Sequence, residues 1–144
     1  MTYIDRAGLE ARFDEVGDLA PEPGEGQADA KMDAAIADAA AVIDERLAAA
    51  YVLPLPAGSY PTLTRIAADL ARLRLHDETS PDHVVARAKT SHADLDAIVS
   101  GTLELVDAAG VAAPRRAEAR FQSRDQEFRR SDEATGRLSG LDNF

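Results

Sequence analysis

Apolar residues recurring at helical spacing constrain this chain more than any other feature. Between Ala28 and Ala50 the residues Met32, Ile36, Ala39, Ile43, Leu47 and Ala50 step by four and three, which lines them along one side of a long α-helix. Asp33, Asp38, Asp44, Glu45 and Arg46 fall mostly off that stripe. A second stripe, Leu63, Ile66, Leu70 and Leu73, follows Pro61, which is tolerated in a first helical turn, and predicts a helix to about Leu75. Asp69, Arg72 and Arg74 lie away from it, and the off-stripe carboxylate is expected in solvent. Ser80 and Pro81 form an N-cap and first-position pair for a third helix carrying Val84, Ala88, Leu95, Ile98 and Val99, with Gly101 as its stop. Near the start, Thr2 with Asp5 three residues on resembles a capping box and predicts a helix over about Tyr3 to Phe13, packing through Ile4, Leu9 and Phe13. The expected class is all-α, a small bundle of three to four helices.

The breaks between the stripes set the organisation. Gly17 to Gln27 holds two prolines and three glycines and is expected to be an exposed loop. Tyr51 to Pro61 (YVLPLPAGSYP) cannot continue a helix, because Pro54 and Pro56 remove backbone donors and disfavour helical geometry before them. It is expected to be an extended, partly apolar connector. Leu103, Leu105 and Val106 fit a short extended segment. Beyond Gly110 no stripe continues, and Pro114 to Phe144 mixes arginines with widely spaced aromatics. Such a segment buries too little apolar surface to offset the entropy of ordering it, so it is expected to be mobile alone and to order on a partner. The division is a helical domain over 1–110 and an extended interaction tail over 111–144, with no internal repeat.

Composition narrows the class further. The hydrophobic share is 45% but only 5% of residues are aromatic, with alanine abundant, which suits closely packed thin helices. The absence of cysteine removes disulfides, thiolate metal sites and cysteine nucleophiles, leaving packing and partner chains as the sources of stability. The opening MTYIDRAGLEARF has no basic region followed by an apolar one, and no stretch reaches the roughly 18 apolar residues of a membrane span, so a soluble cytoplasmic chain with no membrane partner is expected. The net charge of −10 opposes a main role in gripping phosphate backbones. The charge is uneven: Met1 to Leu53 carries 4 basic and 12 acidic residues, whereas Pro114 to Phe144 carries 7 and 6.

Signals for chemistry are sparse. His76, Asp77, Glu78, His83 and His92 are the sole cluster suggesting a metal, and the nine-residue separation of His83 and His92 turns them to different sides of a helix. Ser80, Ser91, Ser100 and Ser123 have no nucleophile-elbow context, and Gly24 to Gly26 has neither a lysine nor a preceding strand to cradle phosphate. Carboxylates off the stripes are expected to be exposed and so unshifted for acid or base work. No cofactor, metal site or catalytic residue is expected, and the chain is not read as an enzyme.

Two features stand above background. In the connector, Tyr51, Leu53 and Leu55 are apolar within a non-helical segment and either plug the core or face a neighbouring subunit, the core plug being the commoner fate of apolar loop residues. In the tail, Arg115, Arg116, Arg120, Phe121, Arg124, Phe128, Arg129, Arg130, Leu138 and Phe144 include the residue types that anchor interfaces. The same arginines also support a competing reading, a DNA-associated packaging or regulatory protein with a basic arm. Interleaved Glu118, Asp125, Glu127, Asp132 and Glu133 weaken it, because a charge-balanced arm gains little from releasing counterions.

The opening MTYIDRAGLEARF, the segment IDERLAAAYVLPLP, the following PTLTRIAADLARLRLHDE and the late ARFQSRDQEF together resemble the Mu-like phage gp36 family of small virion proteins, most strongly between Ala34 and Glu78. The resemblance implies a structural head-to-tail connector made in the bacterial cytoplasm and placed in the virion beneath the portal. It also implies a ring of about a dozen copies if the chain follows other connectors, with the portal protein, neighbouring copies and the next tail component as partners. DNA would pass nearby without specific binding. The resemblance brings no catalytic residues, and it points to Leu53 to Pro56 and Arg120 to Phe128 as contact elements.

Overall fold

A computed structural model describes residues 1–19, 27–76 and 79–117. Among them lie five helices, α1 (Arg6–Glu10), α2 (Val16–Leu19), α3 (Gln27–Leu47), α4 (Pro61–Leu75) and α5 (Asp82–Ser100), and no strand beyond two isolated bridges. The protein is all-α, as its apolar spacing predicts. The central helix is α4, which packs on α3 along one side and on α5 along another, while α1 leans on α3 and α2 on α4.

Each predicted stripe forms a buried seam. Met32, Ile36, Ala39, Ile43 and Leu47 of α3 meet Leu63, Ile66 and Leu70 of α4, with Leu95 and Ile98 of α5 completing the core. Ala39, Ala67, Ala71 and Ala88 are buried at these seams, and their small side chains let helix axes approach closely. Leu73, the last member of the α4 stripe, is only partly buried.

Several boundaries differ from the sequence reading for local reasons. Asp5, not Thr2, caps α1, its carboxylate accepting from the Gly8 N–H at 2.7 Å, so the helix starts at Arg6 and lasts little more than one turn. Gly17 to Leu19, expected in the exposed loop, belong to α2, and Gln27 opens α3; residues 20–26 lie outside the described set. Helix α5 begins one residue later than expected, with Pro81 at the cap position and no side-chain cap bond. Gly101 does end α5, at φ +84°, a conformation that favours glycine, and its N–H donates to Ile98 O at 3.2 Å.

The main correction concerns α4. Asp69, expected in solvent, is buried, and so is Arg72, which lies off the apolar stripe. Every residue from Ile66 to Arg72 is buried, because a helix packed on two sides buries an arc wider than one stripe. Each buried charge faces an opposite one, although Arg72 Nε is buried without a hydrogen-bond partner among the described residues. Asp69 accepts from Ser91 Oγ of α5 at 3.0 Å and lies 3.6 Å from both the Arg65 and Arg87 guanidinium groups. Arg72 pairs with Glu15, sits 4.5 Å over the Phe13 ring, and meets His83 Nε2 at 3.2 Å. These contacts fasten α2 and the start of α5 to the central helix.

Candidate interaction surface at the non-helical end

Three stretches without helix gather at one end of the bundle: the connector 51–60, the segment 103–107 and the return 111–116. The Leu53–Pro54 peptide of the connector is cis. A tight turn reverses the chain between the latter two. The Asp107 carboxylate accepts from the N–H groups of Ala109 at 2.9 Å and Val111 at 2.8 Å, and Gly110 takes φ +80°. The sequence DAAG places an acid at the first turn position and glycine where a positive φ is needed.

The return segment then runs between the other two stretches. Ala113 N–H donates to Leu105 O at 2.8 Å on one side, and Arg116 N–H donates to Ala50 O at 2.8 Å on the other. Val106 pairs with Ala112 and Tyr51 with Arg115, both antiparallel. Ala108 N–H donates to Ser59 O at 2.7 Å and ties the turn to the far end of the connector.

Arg115 locks this arrangement. Helix α5 ends with carbonyls that lack intrahelical donors. The guanidinium donates to Ile98 O at 2.9 Å and Val99 O at 2.6 Å and lies 5.1 Å over the Tyr51 ring. A cation at a helix C-terminus also complements the helix dipole. Arg116 Nε donates to Tyr51 O at 3.0 Å. Two arginines singled out from the sequence as partner-binding therefore bind the body of their own chain. The first residues of the segment assigned to the tail lie on the helical body.

The connector divides in the same way. Tyr51 and Leu55 are buried, taking the core-plug alternative, and Leu53 is half-buried against the core. Pairing fixes side-chain direction, since alternate residues of an extended segment face opposite sides. Tyr51, Leu105 and Ala113 turn inward, whereas Val52, Val106, Ala112 and Pro114 turn outward. Val52 is 55% exposed, and Leu103 and Val111 at the same end are also exposed. The inward rule was visible in the sequence; the outward apolar set was missed, because it depends on pairing between segments about 60 residues apart. Arg120, Phe121, Arg124, Phe128, Arg129, Arg130, Leu138 and Phe144 lie outside the described residues.

Elsewhere several charges are paired within the chain. The amino terminus pairs with Asp44 at 2.6 Å, and Tyr3 donates its hydroxyl to the same carboxylate; burial, then Asp44, pushes the Tyr3 phenol far up. Arg6 donates to Asp33 and holds that carboxyl below its usual range. Partial burial pushes Glu15 up, but its own backbone N–H, Arg72 and His76 outweigh this and hold it below the usual range. Burial, with Asp107 nearby, pushes Tyr60 up. Among the described residues no group of three histidine, aspartate or glutamate side chains is placed to hold a metal ion. Asp77 and Glu78 lie outside them. No described helix is long and apolar enough to cross a membrane.

These features define a small helical protein with an apolar, non-helical end and a C-terminal segment that starts from a fixed point on it. The family described as Bacteriophage Mu, Gp36 matches residues 3–123, and the chain belongs to that family. It is a bacteriophage protein. No curated protein matches the chain.

Proposed function

We propose that the chain is a structural virion protein without enzymatic activity, a connector between head and tail. It forms a ring beneath the portal and uses its C-terminal segment to hold the portal and neighbouring copies. The observation that carries this reading is the clasp of residues 111–116. Because Arg115 and Arg116 fix the segment to the body, the following arginines and phenylalanines all start from one defined point on each copy. In a ring such segments act together: each added contact is nearly intramolecular, so weak single attachments sum to a firm one. The acidic body suits a wall past which DNA moves without adhering. Family membership supports the phage setting.

In the DNA-associated alternative, two arginines of the arm, Arg115 and Arg116, also bond backbone carbonyls of the body. Size-exclusion chromatography with light scattering tests the proposal. It compares the full chain with a full-length variant carrying serine at Arg120, Phe121, Arg124, Phe128, Arg129 and Arg130, each with the portal ring of the encoding phage. The full chain is expected to elute with the portal and the variant to stay free. A full chain that ignores the portal and shifts duplex DNA with steep salt dependence overturns the proposal in favour of the alternative.

A further inference from the structure

The two buried charges of α4 differ in whether their partners titrate near neutral pH. Asp69 is held by Ser91, Arg65 and Arg87, none of which changes charge between about pH 5 and 8. Arg72 is held by Glu15 and His83, and among the described residues it makes no other hydrogen bond. Histidine is the side chain whose charge ordinarily changes in that range. The contact also selects one form of the imidazole. A guanidinium has donors and no acceptor, and one hydrogen of Arg72 Nη2 goes to Glu15. The 3.2 Å contact of the same nitrogen with His83 Nε2 is a hydrogen bond only if Nε2 accepts, which leaves the ring proton on Nδ1. A second proton, on Nε2, replaces the acceptor with a donor and sets two cations face to face.

We infer that His83 is a pH-sensitive latch: neutral, it bonds Arg72 and ties the first turn of α5 to α4, and protonated, it lets that turn go. Among the described residues the charged and titratable groups at this corner are Glu15 of the turn before α2, Arg72 and His76 of α4, and Asp82 and Arg87 of α5. Arg72 and Arg87 already lie 4.5 and 5.6 Å over the one Phe13 ring, so a protonated His83 adds to two guanidinium groups. His76 adds further positive charge when it protonates. Of the acids, Glu15 is taken by Arg72, and Asp82 precedes His83 by one residue, a spacing that does not bring helix side chains face to face. Little else holds the turn. It has no side-chain cap, and its buried Val84 stands outside the main core cluster. The release stays local, because the partners of Asp69 keep their charge and the Glu15 carboxyl, held below its usual range, stays ionised on Arg72.

Two measurements on the full-length protein, labelled with nitrogen-15, test the latch. At about pH 7.5 the ring nitrogens of His83, identified by their absence from a His83→Gln variant, are expected to show the proton on Nδ1; a proton on Nε2 overturns the inference. Amide exchange, corrected for its intrinsic dependence on pH, is then read over Val84 to Arg87, where Val84 and Val85 N–H donate to Pro81 O. Opening there is expected to rise about five-fold, the weight of one hydrogen bond, between about pH 7.5 and about pH 5.5, while the α4 amides stay protected. His83 is exposed, so glutamine spares the core, and its side-chain oxygen accepts from Arg72 without titrating. The variant is expected to show no rise. An equal rise in the variant, a rise shared by α4, or no rise in the unsubstituted chain overturns the inference. Neither measurement involves the portal, so each outcome leaves the connector proposal where it stands.

Discussion

Replacing Arg115 by alanine removes four contacts at once: the hydrogen bonds to Ile98 O and Val99 O, a long one of 3.4 Å to the Tyr51 hydroxyl, and the cation over the Tyr51 ring. A hydrogen bond to a charged group contributes about 1.5–3 kcal/mol, a cation–π contact at an exposed site about 0.5–1 kcal/mol, and a cation at a helix C-terminus about 0.3–1 kcal/mol. These do not add fully, and water replaces part of the bonding at the exposed end of α5, so the expected loss is about 2 kcal/mol. For a body of roughly 110 residues this lowers Tm by about 8 °C. Thermal and urea unfolding followed by circular dichroism measures it. Arg115→Lys keeps the charge but not the planar two-pronged donor, and is expected to recover less than half of the loss. A substitution that touches nothing costs within about 0.5 kcal/mol. An Arg115→Ala loss that small refutes the clasp. Truncation extends the test: ending the chain at Ala113 removes both clasp arginines and should destabilise the body, whereas ending it at Ala117 should not.

Asp69→Ala leaves the Ser91 hydroxyl buried without its acceptor and is expected to cost about 2–4 kcal/mol, against about 1 kcal/mol for Ser91→Ala, both read from urea midpoints; equal, negligible effects would contradict the buried pairing. Gly101→Ala forces a side chain into a left-handed conformation and sets a Cβ 3.3 Å from Arg115 Nη1, for an expected loss of about 1–2 kcal/mol by the same assay. Glu15 has a folded-state pKa below its ordinary value, so its contribution is present above about pH 4.3 and is lost as the pH falls through the lowered value. Stability should decline over that acid window, and Glu15→Gln should flatten the decline. Leu63→Ala, at a fully buried position facing α3, should cost about 2–5 kcal/mol.

The helical class, the three long helices and their buried faces followed from residue spacing alone. The reason is that α3 and α5 each meet the core along one side, so Met32 to Leu47 and Val84 to Ile98 advertise their packing in a 3.6-residue rhythm. Pro61 and Gly101 marked their helix ends because each acts through its own backbone. Family resemblance was equally legible, since it rests on the order of local segments, and the family match confirms it.

Long-range geometry had no such local signal. The burial of Asp69 and Arg72 depends on α4 having neighbours on two sides, and spacing within α4 does not count its neighbours. The work of Arg115 was hidden for the same reason. Its partners Tyr51, Ile98 and Val99 meet it only once the turn at Asp107 to Gly110 has folded the return segment back between the connector and residues 105–107. From sequence an arginine beside a proline in a polar tail reads as a free anchor; in the folded chain it caps a helix. Periodicity therefore determined which helices form and which side of each is apolar, because those are properties of a few turns of backbone. Tertiary structure alone decided which charges are buried, which arginines are spent within the chain, and which apolar face is left outward, because each of those is fixed by what lies opposite.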